Sequence, residues 1–202
     1  MTVITFLDYF GVFVFAMSGI LAASEKQLDL FGGFIIAFVT ALGGGTLRDL
    51  FLNIEIGWII DTSYIYIVIG GTAFALIFKK IAKHIRKTVY LFDSIGIGLF
   101  TILGVQKALT LDAPPIIVIM FGVITATFGG VIRDILCNEI PLIFRKEIYA
   151  TACIVGAAIY LGLDYLNLNE LVNIIISGSV IISIRTIAVV KKISMPLIND
   201  RL

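Results

Sequence analysis

The sequence predicts an all-α polytopic membrane protein with seven transmembrane helices, arranged as two inverted three-helix repeats plus a seventh helix. Composition, the spacing of apolar segments and a match of the chain to itself at one fixed offset carry that prediction. Of 202 residues, 59% are apolar and 14% charged, with 15 Lys plus Arg against 14 Asp plus Glu. Mean hydropathy is +1.08. Soluble domains hold about 45–50% apolar and about 25% charged residues, so a water-soluble globule of this composition would expose large apolar patches. Disordered chains have the opposite bias. A net charge of +1 without a soluble basic surface excludes nucleic-acid binding.

About 20 mostly apolar residues carry a helix across roughly 30 Å of hydrocarbon. Such segments fall at about 4–23, 31–52, 62–78, 89–109, 115–137, 147–166 and 171–190, with short connections that suit antiparallel neighbours. One membrane domain therefore accounts for residues 1–202. Met1 to Leu7 contains no Lys or Arg, so the first segment reads as a retained helix rather than a secretory signal. The densest basic cluster is Lys79, Lys80, Lys83, Arg86 and Lys87, joined by His84. The positive-inside rule places it in the cytoplasm, the N-terminus outside and the C-terminus inside. Anionic-lipid binding is a second use for such a loop. Trp58 and the tyrosines near segment ends read as interfacial anchors.

One constant shift, the one that lays Asp8 on Asp93, aligns one half of the chain with the other without a gap. At that shift Gly11 meets Gly96, Phe15 meets Phe100 and Gly19 meets Gly104. Thr40-Ala41 then meets Thr125-Ala126, Gly44-Gly45 meets Gly129-Gly130, and Arg48-Asp49 meets Arg133-Asp134. Asn53 with Asn138, Tyr64 with Tyr149 and Gly71 with Gly156 continue the register. Self-similarity at one offset is the signature of a repeat. The copies occupy about 4–78 and 89–163, and the helix at 171–190 lies outside them. Three spans per copy is an odd number, so the second copy enters from the opposite side. Inverted repeats of this kind place transport sites between the halves.

The second helix of each copy carries consecutive glycines, Gly43, Gly44 and Gly45 in one and Gly129 and Gly130 in the other. Each glycine weakens a helix by about 1 kcal/mol relative to Ala. One reading is a pair of kinked or broken helices whose freed backbone lines a pathway. The other is close packing, since small residues let backbones approach. Arg48, Asp49, Arg133 and Asp134 follow the glycines, and intramembrane charges need partners. Topology pairs Asp8 with Arg48 near the outer side and Asp93 with Arg133 near the inner side, directly or through a bridge. These pairs read either as structural ties or as a charged vestibule. Lys107 ends the fourth span and reads as a snorkelling side chain or a movable cationic gate.

Enzyme chemistry finds no footing in the sequence. His84 is the one histidine, and Cys137 and Cys153 sit in no ligand spacing, so no metal or other cofactor is expected. Phosphate-loop, zinc-protease and dinucleotide motifs are absent from the sequence.

The doubled motif, Gly43-Gly44-Gly45-Thr46-Leu47-Arg48-Asp49 and Gly129-Gly130-Val131-Ile132-Arg133-Asp134, resembles the signatures of the trimeric intracellular cation (TRIC) channel family. Its prokaryotic members overlap with small membrane proteins that carry glycine-transporter domains. The resemblance covers nearly the whole chain. It implies a homotrimer with one pore in each protomer, permeable to potassium and other monovalent cations such as sodium. It also implies kinks at Gly43 to Gly45 and at Gly129-Gly130, and a gating role for a lysine placed as Lys107 is. Phe128 stands where the second motif would repeat its first glycine, so the two constrictions need not be equivalent. Membrane lipids are expected partners, in a prokaryotic cytoplasmic membrane. A secondary transporter of glycine or another small amino acid remains the alternative, because inverted repeats fit both.

Overall fold

The computed structural model describes residues 2–79 and 85–196. Lys80, Lys83 and His84 of the basic cluster that sets the expected topology lie outside the described residues. Helices α1 (Val3–Glu25), α2 (Leu30–Phe51), α5 (Ile85–Leu109), α6 (Pro115–Leu136) and α8 (Glu170–Lys191) form the long elements. Each of these five contains a stretch long and apolar enough to cross a membrane. Helices α4 (Ser63–Lys79) and α7 (Ala150–Tyr165) are shorter, with 17 and 16 residues. At about 1.5 Å per residue they rise roughly 25 Å.

Two small elements were not anticipated. A four-residue helix, α3 (Gly57–Ile60), precedes α4, and a 3-10 turn at Leu142–Phe144 precedes α7. The segment expected to be helical from about residue 147 is instead extended there, with Glu147 bridged to Ser194, and α7 starts at Ala150.

Helix ends follow local chemistry. Asp29 caps α2 by accepting from the Gly32 amide at 2.6 Å, and Pro115 opens α6, where no amide is needed. Helices α2 and α6 stop in the same way. Asn53 and Asn138 both adopt φ of 54°. The amides of Ile54 and Glu139 then reach back to the carbonyls of Asp49 and Asp134, at 3.0 and 2.8 Å. That pattern is the Schellman motif, and Asn tolerates its left-handed position.

Helices α1, α2, α5 and α6 form the centre. Phe15 of α1 stacks on Phe100 of α5, with centroids 5.0 Å apart. Gly96 lies under Phe15 and Gly11 under Phe100, so α1 and α5 cross in opposite directions. The α2–α6 crossing has the same character: Gly44 sits on the Thr125 carbonyl and Gly129 on the Thr40 carbonyl. A Cβ at either glycine would fall far inside 3.0 Å of that oxygen, a separation real Cβ atoms essentially never show. Helix α8 packs on α5 and α7 at one flank.

Of the two readings of these glycines, kinked or broken helices and close packing, an outright break occurs at neither run. Residues 43–45 lie within one uninterrupted α2, and 129–130 within one uninterrupted α6. Close packing explains why: at Gly44 and Gly129 the missing side chain admits a neighbouring backbone rather than freeing the helix's own.

Candidate functional site

Two charge clusters flank the α2–α6 crossing. Asp8 and Ser18 of α1 mark the two ends, because ten residues of helix separate them by about 15 Å. Each cluster combines an Asp from the first or fifth helix with an Arg-Asp pair and a Tyr, at positions that the repeat lays on one another.

In the second cluster, Arg133 and Asp93 meet as expected. Arg133 Nη1 donates to Asp93 Oδ1 at 2.8 Å and to Ser18 Oγ at 3.0 Å, and its Nε donates to Asp134 Oδ1 at 2.9 Å. Asp93 is wholly buried and Arg133 is 2% exposed. Two carboxylates around one guanidinium satisfy the charge that burial would otherwise penalise. Asp134 Oδ2 accepts from the Leu142 amide at 3.0 Å, so the 3-10 turn is tied to the same cluster. The Tyr149 hydroxyl and Asp93 Oδ2 have no hydrogen-bond partner among the described residues.

The first cluster is wired differently. Arg48 Nε donates to Asp49 Oδ1 at 2.8 Å, and Asp49 Oδ2 accepts from the Gly57 amide at 3.2 Å. Asp8, expected to pair with Arg48 directly or through a bridge, accepts from the Tyr64 hydroxyl at 2.6 Å. No direct Asp8–Arg48 ion pair occurs among the described residues. Both side chains line one cavity of about 30 Å³, which exceeds the ~10–15 Å³ a water needs. The tyrosine makes the direct contact to Asp8, and the cavity leaves room for a water between Asp8 and Arg48. Here the Asp–Tyr contact is made and the Asp–Arg contact is open; in the second cluster the reverse holds.

Gly45 and Gly130 differ from their neighbours in facing these clusters. A Cβ on Gly45 would meet only Arg48 Nη2, at 3.7 Å, and one on Gly130 would lie 2.9 Å from the Tyr149 hydroxyl. Gly43 faces the tip of Ile132 at 3.0 Å. Lys107 is exposed at the end of α5, and its charge reaches Asp8. The antiparallel packing of α1 on α5 puts this end of α5 at the same end of the bundle as Asp8.

A larger cavity of about 70 Å³ adjoins Arg133 and Asp134 and is rimmed by Lys26, Glu139 and Arg145. Glu139 accepts from Arg145 Nη2 at 3.0 Å and pairs with Lys26. The Lys26 contact chiefly holds the Glu139 carboxyl below the usual carboxylate range.

Sequence reasoning assigned Tyr64, Tyr149 and Trp58 to the interface and passed over Ser18. Tyr64 and Tyr149 belong to the clusters. Trp58 packs edge-on against Phe38 and donates to Thr46 Oγ1 at 3.0 Å. The signal for the tyrosines was present in their matched positions in the two repeats. Nothing in the sequence marks Ser18, whose counterpart in the second repeat is Leu103. Cys137 and Cys153 are free and buried.

Tyr64→Phe removes a hydrogen bond to a charged group and is expected to lower stability by about 1.5–3 kcal/mol. Tyr149→Phe removes an unpartnered hydroxyl and should be nearly neutral. Thermal melting in detergent checks both, and equal losses would contradict the asymmetry of the clusters.

A family model described as Glycine transporter matches the chain twice, over residues 5–80 and 90–165. The UPF0126 membrane protein of Vibrio cholerae is 42% identical over 152 residues, covering 74% of this chain and 64% of that protein. The chain thus matches just under two thirds of that relative's length. The UPF0126 inner membrane protein YadS of Escherichia coli K12 is 38% identical over 156 residues, 76% of this chain and 75% of that protein. Among solved structures, the TRIC trimeric intracellular cation channel orthologue from Rhodobacter sphaeroides superposes with a TM-score of 0.91. It is 35% identical, over 96% of this chain and 100% of that one. The fold is therefore the all-helical TRIC channel fold, in an integral membrane protein.

Proposed function

The chain belongs to the family of TRIC channels and UPF0126 membrane proteins, and on that premise we propose that it is a monovalent cation channel, permeable to potassium and sodium, with one pathway in each protomer of a homotrimer. The observation that carries this reading is the pair of related charge clusters, one at each end of the α2–α6 crossing. Each borders a small cavity. The two cavities are vestibules of one pathway, and the crossing between them is its constriction.

The opposed directions of α1 against α5 and of α2 against α6 support two inverted repeats at 4–78 and 89–163, with 171–190 as a flanking helix. Seven crossings follow if α3 and the 3-10 turn extend the short α4 and α7 across the bilayer. The positive-inside rule gives an outer N-terminus and a cytoplasmic C-terminus. Thr40 Oγ1 donates to the Ile36 carbonyl and Thr125 Oγ1 to the Phe121 carbonyl, both at 2.6 Å. Such back-bonds bend helices slightly, and they sit at the crossing itself, which favours Gly43 to Gly45 and Gly129-Gly130 as the region where α2 and α6 move. Asp93–Arg133 locks the inner vestibule. The Asp8–Tyr64 contact leaves Arg48, Asp49 and Lys107 to set the charge of the outer one. No run of carbonyl-donating filter residues such as TVGYG occurs in the sequence, so selectivity among monovalent cations is modest.

The description of the matching family model favours one other reading, a glycine carrier. Purified protein in a planar bilayer under a potassium chloride gradient separates the two. Discrete current steps reversing toward the potassium equilibrium potential are expected. Silent bilayers together with saturable glycine uptake into liposomes would overturn the channel in favour of the carrier.

A further inference from the structure

One buried charge takes no part in the clusters at the crossing. Arg185 lies on α8 where that helix meets α5 and the start of α7, and it is fully buried. Its Nη1 donates to Glu147 Oε2 at 2.8 Å and to the Ile148 carbonyl at 3.1 Å. The guanidinium stands 4.8 Å from the Tyr149 ring centroid and 5.9 Å from that of Tyr90. Ring faces attract the charge but do not satisfy N–H groups in the guanidinium plane. Nε and Nη2 have no hydrogen-bond partner among the described residues.

Arg185 forms part of the wall of a cavity of about 320 Å³, shared with Tyr90, Lys146, Glu147, Lys192 and Ser194. Three cations face one carboxylate there. The chain after α8 closes this end through backbone contacts. Lys192 turns through φ of 53°, Ser194 bridges to Glu147, and the Met195 amide donates to the Lys146 carbonyl at 2.7 Å. Next to it runs an apolar groove of about 470 Å³ between α5 and α8, bordered by Leu91, Val189 and Val190. Tyr90 and Lys192 line both spaces.

A basic cavity continuous with an apolar groove, on helices apolar enough to span a bilayer, matches one class of molecule. A soluble anion would use only the cavity, and an apolar peptide only the groove. Basic pockets between transmembrane helices recognise anionic headgroups. We infer that the cavity and groove bind one anionic phospholipid. Its phosphate pairs with Lys146 and Lys192 in the field of Arg185, and an acyl chain lies between α5 and α8. This site is independent of the channel reading.

The test is thermal melting of the purified full-length protein in detergent with added phosphatidylglycerol, phosphatidylcholine or inorganic phosphate. Phosphatidylglycerol is expected to raise Tm by about 3–5 °C, the scale of a ligand at many times its Kd, and phosphatidylcholine to leave it unchanged. Lys146 and Lys192 are exposed, so the double variant Lys146→Gln/Lys192→Gln should melt normally without lipid and lose most of the shift. Lys191→Gln removes the same charge from an exposed neighbour outside the cavity wall and should keep the shift. The proposal is overturned if the double variant responds like the wild type. It is equally overturned if Lys191→Gln weakens the response as much, which would mean diffuse surface charge. A full shift with inorganic phosphate alone would replace the lipid by a soluble anion.

Discussion

Gly44→Ala and Gly129→Ala are expected to destabilise the protein sharply, whereas Gly45→Ala is expected to be tolerated. At Gly44 the added methyl would strike the Thr125 carbonyl, and at Gly129 the Thr40 carbonyl. A backbone oxygen in the middle of a packed helix cannot swing aside, so α2 and α6 must move apart along their whole contact. Overpacking of this kind costs about 1–3 kcal/mol or more, which outweighs the roughly 1 kcal/mol that Ala contributes over Gly to helix stability. At Gly45 the nearest atom is Arg48 Nη2 at 3.7 Å, an ordinary contact, and the helix-propensity gain should stand alone. Melting of the three single variants in detergent separates two uses of one glycine run. If Gly45→Ala were as damaging as Gly44→Ala, backbone bending would matter more than the close crossing.

That contrast also marks where the sequence could be read and where it could not. The apolar periods located every long helix to within a few residues, because about 20 apolar residues in a row have few alternatives. The internal repeat related Asp8 to Asp93, Arg48 to Arg133 and Tyr64 to Tyr149, and those residues do gather into two clusters. The sequence could not reveal that the clusters are wired differently. Asp8 and Asp93 are the same residue type at the same repeat position, but Tyr64 reaches one and Arg133 the other. Ser18, contributed by the opposite half with Leu103 as its counterpart, helps to anchor Arg133 and has no equivalent beside Arg48. Glycines that could either break a helix or admit a neighbour give the same letters in both cases. Only the crossing partner, a carbonyl contributed by the other half of the chain, separates the readings. Arg185 is the one charged residue in the interior of its span, a signal as strong as that of Arg133 but without a counterpart in the repeat.

Arg133→Ala is expected to be more damaging than Arg48→Ala, despite the near identity of their local sequences. Removing Arg133 leaves Asp93 wholly buried, with Oδ2 already unpartnered, and takes from Asp134 the cation that balances it. Breaking a buried pair costs about 3–5 kcal/mol, because the surviving charge is stranded. Arg48 touches one carboxylate, its own neighbour Asp49, and Asp8 keeps its bond to Tyr64. Its loss strands one buried carboxylate, Asp49, which keeps its bond from the Gly57 amide, so the cost should fall at the low end of that range, about 3 kcal/mol. Melting temperatures of the two alanine variants decide the ranking, and equal losses would mean that the clusters are energetically equivalent. Asp93→Asn/Arg133→Gln supplies the complementary measurement. It removes the Asp93 and Arg133 charges while keeping polar groups in place, and leaves Asp134 only the Leu142 amide, so it should recover part of the stability lost in Arg133→Ala. If Asp93–Arg133 also holds the inner vestibule shut, that double variant will fold and carry current more of the time than the wild type. A purely structural tie would restore folding and leave the current unchanged.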